Sequence, residues 1–380
     1  MRVCFFGTYE EEYPRNQILL KAMKQAGVHV YECHANLWKN RIHKTETLKS
    51  IWKITRLFYQ LLILYPVLLV RYWTTPDHDL VLVGYPGQID ILAIKWLVKL
   101  RKRPIVFDIF ISLYDAAVED RGLVKRNSIT AFLLYQLDKT ACRSANHLIL
   151  DTHAQIQYFE ETFKIPKNRF TRIFAGADDR LFVPLKKTNE REVARCRVLF
   201  IGKFTPLHGI ETILETAKRL KNEKDIYFDI IGIGQLYDKI SKMVQAENLE
   251  NVKLHGWVDY EALPGWIQRS DLCLGIFADT PKASRVIPNK IFQALACAKP
   301  VITAKTDAIQ ELLKHGDSAY LIPPGQPEAL KEAILALKKD NDAALKIAEK
   351  GNSAFHLESD IEKIGHQLKN LFEHILATSP

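Results

Sequence analysis

Apolar runs and amphipathic stretches alternate along the chain in two successive series. In the first, "RVCFFG", "DLVLVGY", "PIVFDIF" and "HLILDT" are short and almost unbroken, the pattern of strands buried on both faces. Helical stretches such as "DILAIKWLVKLRK" and "SITAFLLYQLDKTACRSA" accompany them. The segment "FAGADDRLFVPLKKTNEREVAR" has no clean period and reads as a linker, with an expected hinge near residues 183–196. A second series follows: "CRVLFIG", "IYFDIIG", "VKLHGW", "DLCLGIF", "PVITA" and "AYLIPP". Within it, Ile210, Ile213, Leu214, Ala217 and Leu220 recur at helical spacing. A last apolar stripe at Ile361, Ile364, Leu368, Leu371 and Ile375 predicts a terminal helix over about 359–376. The expected fold class is α/β, with two Rossmann-like doubly wound domains facing a cleft. The first spans 1–185, joined by the terminal helix at about 357–380, and the second spans 186–356.

Composition supports a globular chain: 380 residues, 47% hydrophobic, with no low-complexity tract. Six cysteines are scattered without a CxxC pair, so buried reduced thiols are expected rather than zinc or a redox pair. The apolar part of "MRVCFFGTYE" is too short for a signal peptide, and the stretch reads as a first strand ending in Gly7. The longest apolar run, residues 57–70, falls short of the roughly 20 residues of a membrane span.

The net charge of +9 lies wholly in one half. Residues 1–186 hold 27 Lys and Arg against 18 Asp and Glu, while the remainder holds 26 of each. This places an anionic partner at the first half. Residues 38–73 mix basic and aromatic residues beside an apolar run, which suits either a helix on an anionic membrane surface or a long core helix with a solvated basic face. No helix-turn-helix, RNP or KH pattern is present, so no nucleic-acid partner is expected.

Three loops of the second series carry candidate chemistry. In "FIGKFTPLHGIETILETAK" a strand ends at Gly202, the loop carries Lys203 and His208, and Gly209 opens a helix, an arrangement open to a phosphate or to an ordinary βα turn. Gly232 and Gly234 follow the next strand, but Tyr237 replaces the third glycine of a dinucleotide fingerprint. In "RVIPNKIFQALACAKPVIT", Pro288 fixes the entry to a helix, Asn289 is positioned to cap it, and Lys290 stands beside its first turn. That is an anion site, or a capped structural helix with a solvated lysine.

Taken in order, these motifs with "VKLHGWVDYEALPGWIQRSDLCLGIF" and "AYLIPPGQPEAL" resemble the retaining GT-B glycosyltransferases, in the large group 1 that includes glycogen- and sucrose-synthase-like and bacterial polysaccharide enzymes. The resemblance covers most of 196–340. The first half resembles the family more loosely, through "FFGTYEEEYPRNQILLKAMKQAGVHV" and "FAGADDRLFVP". It implies that the second domain binds a nucleotide-diphosphate sugar and the first an acceptor, a glycan or lipid-linked precursor.

Lys203 matches the family's diphosphate-binding basic residue, and His208 stands where a second lysine is common. The family often carries two acids eight positions apart, which here are Arg285 and Gln293. Gln293 can still bond ribose hydroxyls, and Asn289 and Lys290 are expected to share the donor-binding work. On the acceptor side, the resemblance nominates Asp108 to orient a hydroxyl, with Phe110 as the alternative occupant of the family's histidine position. Gly7, Tyr9 and Asp115 are placed toward the same cleft, and Asp115 with Arg121 is also readable as a structural pair. No cofactor or metal is expected, because fixed positive groups and helix starts can stabilise a leaving diphosphate. Asp77 and Asp79 precede a strand and are read as surface acids. The expected location is the cytoplasmic face of the cell membrane. A nucleotide-sugar epimerase or hydrolase, and a binding-only member without catalysis, are the alternatives.

Overall fold

The computed structural model describes residues 1–37, 51–185 and 195–378, with side chains at 51–58 outside the description. The basic positions Lys39, Arg41, Lys44 and Lys49, and most of the expected hinge, therefore lie outside the described residues. The chain divides into two compact units. One comprises Met1–Asp151, Gln155–Phe174 and Ile361–Pro380; the other comprises Thr152–Ala154 and Ala175–Asp360.

In the first unit the strands are β1 (Arg2–Gly7), β2 (His29–His34), β3 (Leu80–Val83), β4 (Ile105–Asp108), β5 (His147–Leu150) and β6 (Phe170–Arg172). The helices between them are α1 (Pro14–Gln25), α2 (Ile51–Thr74), α3 (Gln88–Leu100), α4 (Ile129–Ser144) and α5 (His153–Phe163), with a π-helical turn at Asp115–Asp120. All strand pairs are parallel and run β2-β1-β3-β4-β5-β6. Strands β3 and β4 are buried at every position, which is why they read as continuous apolar runs. Two strands have no such signal: β2 is a half-exposed edge strand, and β6 has only three residues.

The second unit repeats the plan with a different order. Strands β7 (Cys196–Ile201), β8 (Ile226–Ile231), β9 (Val252–Leu254), β10 (Leu272–Leu274), β11 (Val301–Ala304) and β12 (Tyr320–Ile322) form a sheet ordered β12-β11-β10-β7-β8-β9. Its helices are α6 (Ile210–Arg219), α7 (Tyr237–Ala246), α8 (Leu263–Arg269), α9 (Pro281–Arg285), α10 (Asn289–Ala296), α11 (Asp307–Gln310), α12 (Pro327–Lys339) and α13 (Asn341–Glu358). The apolar stripe of α6 is buried against β7 and β8 in one continuous core.

The terminal helix α14 (Ile361–Thr378) belongs to the first unit. Ile361, Ile364, Leu368, Leu371 and Ile375 are buried against Ile18, Leu19 and Ala22 of α1. Each such side chain contributes about 1.5–3 kcal/mol on burial. The helices approach closely at Gly365, where a Cβ would stand 2.5 Å from the Ala22 carbonyl oxygen. All six cysteines are buried and free.

Candidate functional site

The strand order of the second sheet reverses between β10 and β7, and the open place in such sheets lies outside the carboxyl ends of the strands at that switch point. β7 ends at Ile201 and the chain turns on Gly202. A Cβ at Gly202 would lie 2.6 Å from Lys290 Nζ and 3.0 Å from His208 Cε1. The bare glycine therefore makes room for both side chains.

Lys290 lies in the first turn of α10. Its Nζ is 3.7 Å from the centroid of the ring of Phe200, the next-to-last residue of β7. The nitrogen is buried and has no hydrogen-bond partner among the described residues. Burial alone pushes its pKa well below the ordinary lysine value. The sequence allowed a solvated lysine at this position; the ammonium instead sits inside, while its stem is partly exposed. The cap differs too. Pro288 is the N-cap residue, the helix starts at Asn289, and no side chain bonds the first N–H groups. Asn289 is thus inside the helix rather than capping it, and the helix start remains open to an anion.

His208 meets the same aromatic ring edge-on, 5.7 Å between centroids at 72°. Its Nδ1 pairs with the Lys203 carbonyl. A carbonyl only accepts, so in a neutral ring Nδ1 holds the proton and Nε2 is an acceptor; protonation turns Nε2 into a donor. Lys203 itself is exposed. Gly209 then takes the left-handed conformation, φ 61°, and a Cβ there would stand 2.4 Å from the Ala278 nitrogen. Only glycine fits that turn into α6.

Gly232 and Gly234 form the seat behind this loop. Both have positive φ, and a Cβ on Gly232 would fall 1.8 Å from the Gly202 carbonyl oxygen. Gly202 N donates to Ile231 O and Phe204 N donates to Ile233 O, each at 2.9 Å. These glycines serve a close backbone approach, which accounts for the pair without a dinucleotide fingerprint.

Gln293, on the second turn of α10, is buried and bonds Tyr260, whose hydroxyl is pushed up to about 12 by burial. The Arg285 carbonyl accepts from Thr152 Oγ1 at 2.6 Å. Glycine-backed loop, histidine and buried lysine thus converge at one corner of the second unit, with Gln293 further along the same helix.

The first-unit candidates are placed differently. Asp108 has no exposed surface. Arg15, equally buried, binds it through Nη2 at 2.8 Å and Nε at 3.1 Å, and also donates to the Ile173 and Phe174 carbonyls. Asp108 is a packing ion pair here, not an open carboxylate. Phe110 sits beside it with φ 48° and its ring 5.4 Å from the Arg15 guanidinium. Tyr9 is fully buried, its hydroxyl donating to Glu32 at 3.3 Å. Gly7 packs against the Asp90 carboxylate, and Asp115 is buried with its N–H donating to Ser112 Oγ. Burial of Asp108, Tyr9 and Asp115 corrects the expectation that these side chains face an open acceptor surface. Asp77 and Asp79 pair with Arg2, and Asp77 also with Arg103, at the start of β3. Among the described residues one His and Asp cluster has cation-ligand spacing, Asp179, His356 and Asp360, and it contains none of the nominated residues.

Residues 195–340 match the family model described as "Glycosyl transferases group 1". That stretch belongs to the group 1 family. The group 1 domain covers the whole corner just described. A relative over 182 residues is the amylovoran biosynthesis glycosyltransferase of Erwinia amylovora, 24% identical, covering 47% of this chain and 45% of that one. The chain spans about half the length of the curated relatives it matches. Among solved structures, a sucrose-phosphate synthase from Thermosynechococcus elongatus is similar over 100% of both chains, with TM-score 0.73 and 17% identity. The Anabaena protein HepE in complex with UDP-glucose is similar over 98% of this chain and 100% of that one, with TM-score 0.71 and 15% identity. The two parallel six-stranded sheets with flanking helices have the GT-B fold.

Two features escaped the sequence, one in this site and one in the first unit. Phe200 lies in a strand apolar at nearly every position, so nothing marks it as the seat of a cation. Asp90 and Asp138 are single acids inside apolar helical patterns, and that isolation was the available signal. Both are fully buried and both are pushed up to about 6 by burial. Asp90 accepts from Thr8 N and the Tyr65 hydroxyl; Asp138 accepts from Ser112 Oγ, Tyr114 N and Gln88 Nε2.

Proposed function

We propose that the chain is a retaining glycosyltransferase that moves a sugar from a nucleotide-diphosphate donor to a glycan or lipid-linked acceptor in polysaccharide or glycolipid synthesis. The observation that carries the reading is Lys290: a buried amine with no hydrogen-bond partner among the described residues, beside a bare glycine, at the open end of a helix. An unpaired buried amine is costly unless an anion completes it. A diphosphate supplies that anion, with Lys203 and the start of α10 as further positive groups. The group 1 family match and the likeness to a fold found with UDP-glucose support the same class of ligand.

In this reading the bond from the anomeric carbon to the diphosphate oxygen breaks as the acceptor hydroxyl attacks from the same face. The acceptor proton passes to the departing phosphate oxygen. The positive groups stabilise the negative charge that develops there, so no enzyme nucleophile and no metal are needed. Gln293 is assigned the ribose in this reading, as an amide that both donates and accepts. Residue Asp108, locked to Arg15, is left out of the chemistry.

Thermal-shift screening against nucleoside diphosphates and their sugars tests the reading. Stabilisation by one of them, lost in Lys290→Met, is expected. Failure of every nucleotide to stabilise the protein overturns it. Product analysis then fixes the class: the anomeric configuration of a transferred sugar reports retention, whereas free sugar or a changed epimer as sole product favours a hydrolase or epimerase. Full loss of turnover in chelator sinks metal independence.

A further inference from the structure

The first unit exposes a broad apolar surface that its own fold does not cover. On α2, Tyr59, Leu62, Ile63, Val67, Val70 and Trp73 all point to solvent, with Ile63 72% exposed. They recur at three- and four-residue steps and form one face of the helix. Helix α2 packs beside α3, which exposes Trp96 and Leu100, and α3 packs beside α4, which exposes Ile129, Phe132 and Leu133. Large apolar side chains exposed on three helices that pack side by side point to a contact site, since single exposed residues are ordinary but such a gathering is not.

The charge on these helices identifies the occupant. In sequence they carry seven Lys or Arg, three on α2 and two each on α3 and α4, and five of these, Arg71, Lys95, Lys99, Lys139 and Arg143, have described side chains. They carry only two acids, Asp90 and Asp138, and both are buried. The cations sit among the exposed aromatics: Lys95 and Lys99 lie 5.6 and 5.7 Å from the Trp96 ring, and Arg101 lies 5.4 Å from the Trp73 ring. An apolar face with an amphipathic aromatic border and an all-basic fringe matches the boundary between acyl chains and anionic headgroups. No described helix is long and apolar enough to cross a membrane, so a contact with lipid would lie along the surface.

We infer that the outer face of α2, α3 and α4 docks flat on an anionic lipid bilayer, with Ile63, Trp96 and Phe132 inserted below the headgroups. The sequence suggested a membrane contact over 38–73 only. The surface read here extends across two further helices and supplies anchors on each. It does not depend on the donor assignment, because no residue of the group 1 domain contributes to it.

The test uses the full chain with vesicles of phosphatidylglycerol and phosphatidylcholine in equal parts, and with phosphatidylcholine alone, in a co-sedimentation assay. Binding to the anionic vesicles is expected, weakened by raised salt, and lowered at least about tenfold by Ile63→Glu with Trp96→Glu. Phe132→Glu should lower it independently. All three side chains are exposed, so the variants should keep the wild-type melting temperature and any nucleotide-induced thermal shift. That retained shift separates this inference from the donor reading. Absence of binding to anionic vesicles, equal binding to phosphatidylcholine alone, or binding unaffected by the substitutions would each overturn it. So would a dimer that Ile63→Glu dissociates, since the face would then belong to a second copy of the chain.

Discussion

Lys290 Nζ lies 3.7 Å above the centre of the Phe200 ring, and that ring is the nearest compensation described for its charge. A ring face attracts a cation with about 0.5–2 kcal/mol, less than burial of the ion costs. The depressed pKa is the consequence. The unfolded chain holds this proton up to about pH 10.5 while the folded chain gives it up earlier, so between the two values the unfolded state binds more protons. Stability from this group therefore rises with pH through that window, and the penalty is fullest below it. Lys290→Met should be as stable as wild type or more so, with the advantage growing as pH falls. Urea unfolding across pH measures it; an advantage that grows with rising pH contradicts the argument.

The same relationship predicts proton uptake on donor binding. An anion beside Lys290 favours the charged form, so a nucleoside diphosphate should bind with protons taken from the buffer at any pH where the free site has given its proton up. Isothermal titration in buffers of different ionisation enthalpy reads the number directly. Lys290→Met should abolish the uptake and weaken binding at least about tenfold, equivalent to about 1.4 kcal/mol. Binding with no buffer dependence in the wild type would show that the amine is already charged.

Gly202 and Gly232 adjoin the same loop but should respond differently to alanine. At Gly202 the new methyl meets the tips of Lys290 and His208, which can swing aside. At Gly232 it meets the Gly202 carbonyl at 1.8 Å, and φ of 144° excludes an L side chain as well. Gly202→Ala should fold with a melting temperature close to wild type and lose nucleotide affinity. Gly232→Ala should be destabilised by several kcal/mol, about 3 or more by analogy with other special backbone positions. Equal stability of the two variants would contradict this account.

Arg15 and Asp108 give a prediction about what is not catalytic. Breaking a fully buried pair leaves an uncompensated charge and costs about 3–5 kcal/mol. Asp108→Asn should lower the melting temperature sharply and reduce activity in proportion to the folded fraction. A variant with unchanged stability and a fallen kcat would return Asp108 to the reaction.

The residues that could be read from sequence and those that could not differ in one physical respect. Strands such as β7 and β11 are buried on both faces, so their apolar runs announce them, and the glycines at 209, 232 and 234 mark turns that no other residue can make. What a polar side chain does depends on its neighbours across the fold, which linear spacing does not contain. Asp108 follows a strand in a position suited to a catalytic acid, yet Arg15 reaches it from 93 residues away. Lys290 could be read as an anion ligand or as a solvated lysine, because its neighbours in sequence do not include Phe200. The half-exposed β2 was missed for the complementary reason: an edge strand has no unbroken apolar run to reveal it.

Asp90 and Asp138 titrate in a way that can be isolated. Both are fully buried, and burial raises each from an ordinary value of 3.8 to about 6 despite several donors to the carboxylate. Between these values the folded chain binds more protons than the unfolded chain, so stability falls as pH rises through the window and stays lower above it. By linkage each group accounts for about 3 kcal/mol of that fall. Other carboxylates titrate in the same range, so the informative quantity is the difference between wild type and a neutral variant. Asp138→Asn keeps the size and one acceptor, and should be most destabilising near pH 4 and least near pH 7. Urea midpoints at the two pH values measure this directly. A difference that stays flat, or grows toward pH 7, means that Asp138 is held charged by its Ser112, Tyr114 and Gln88 donors.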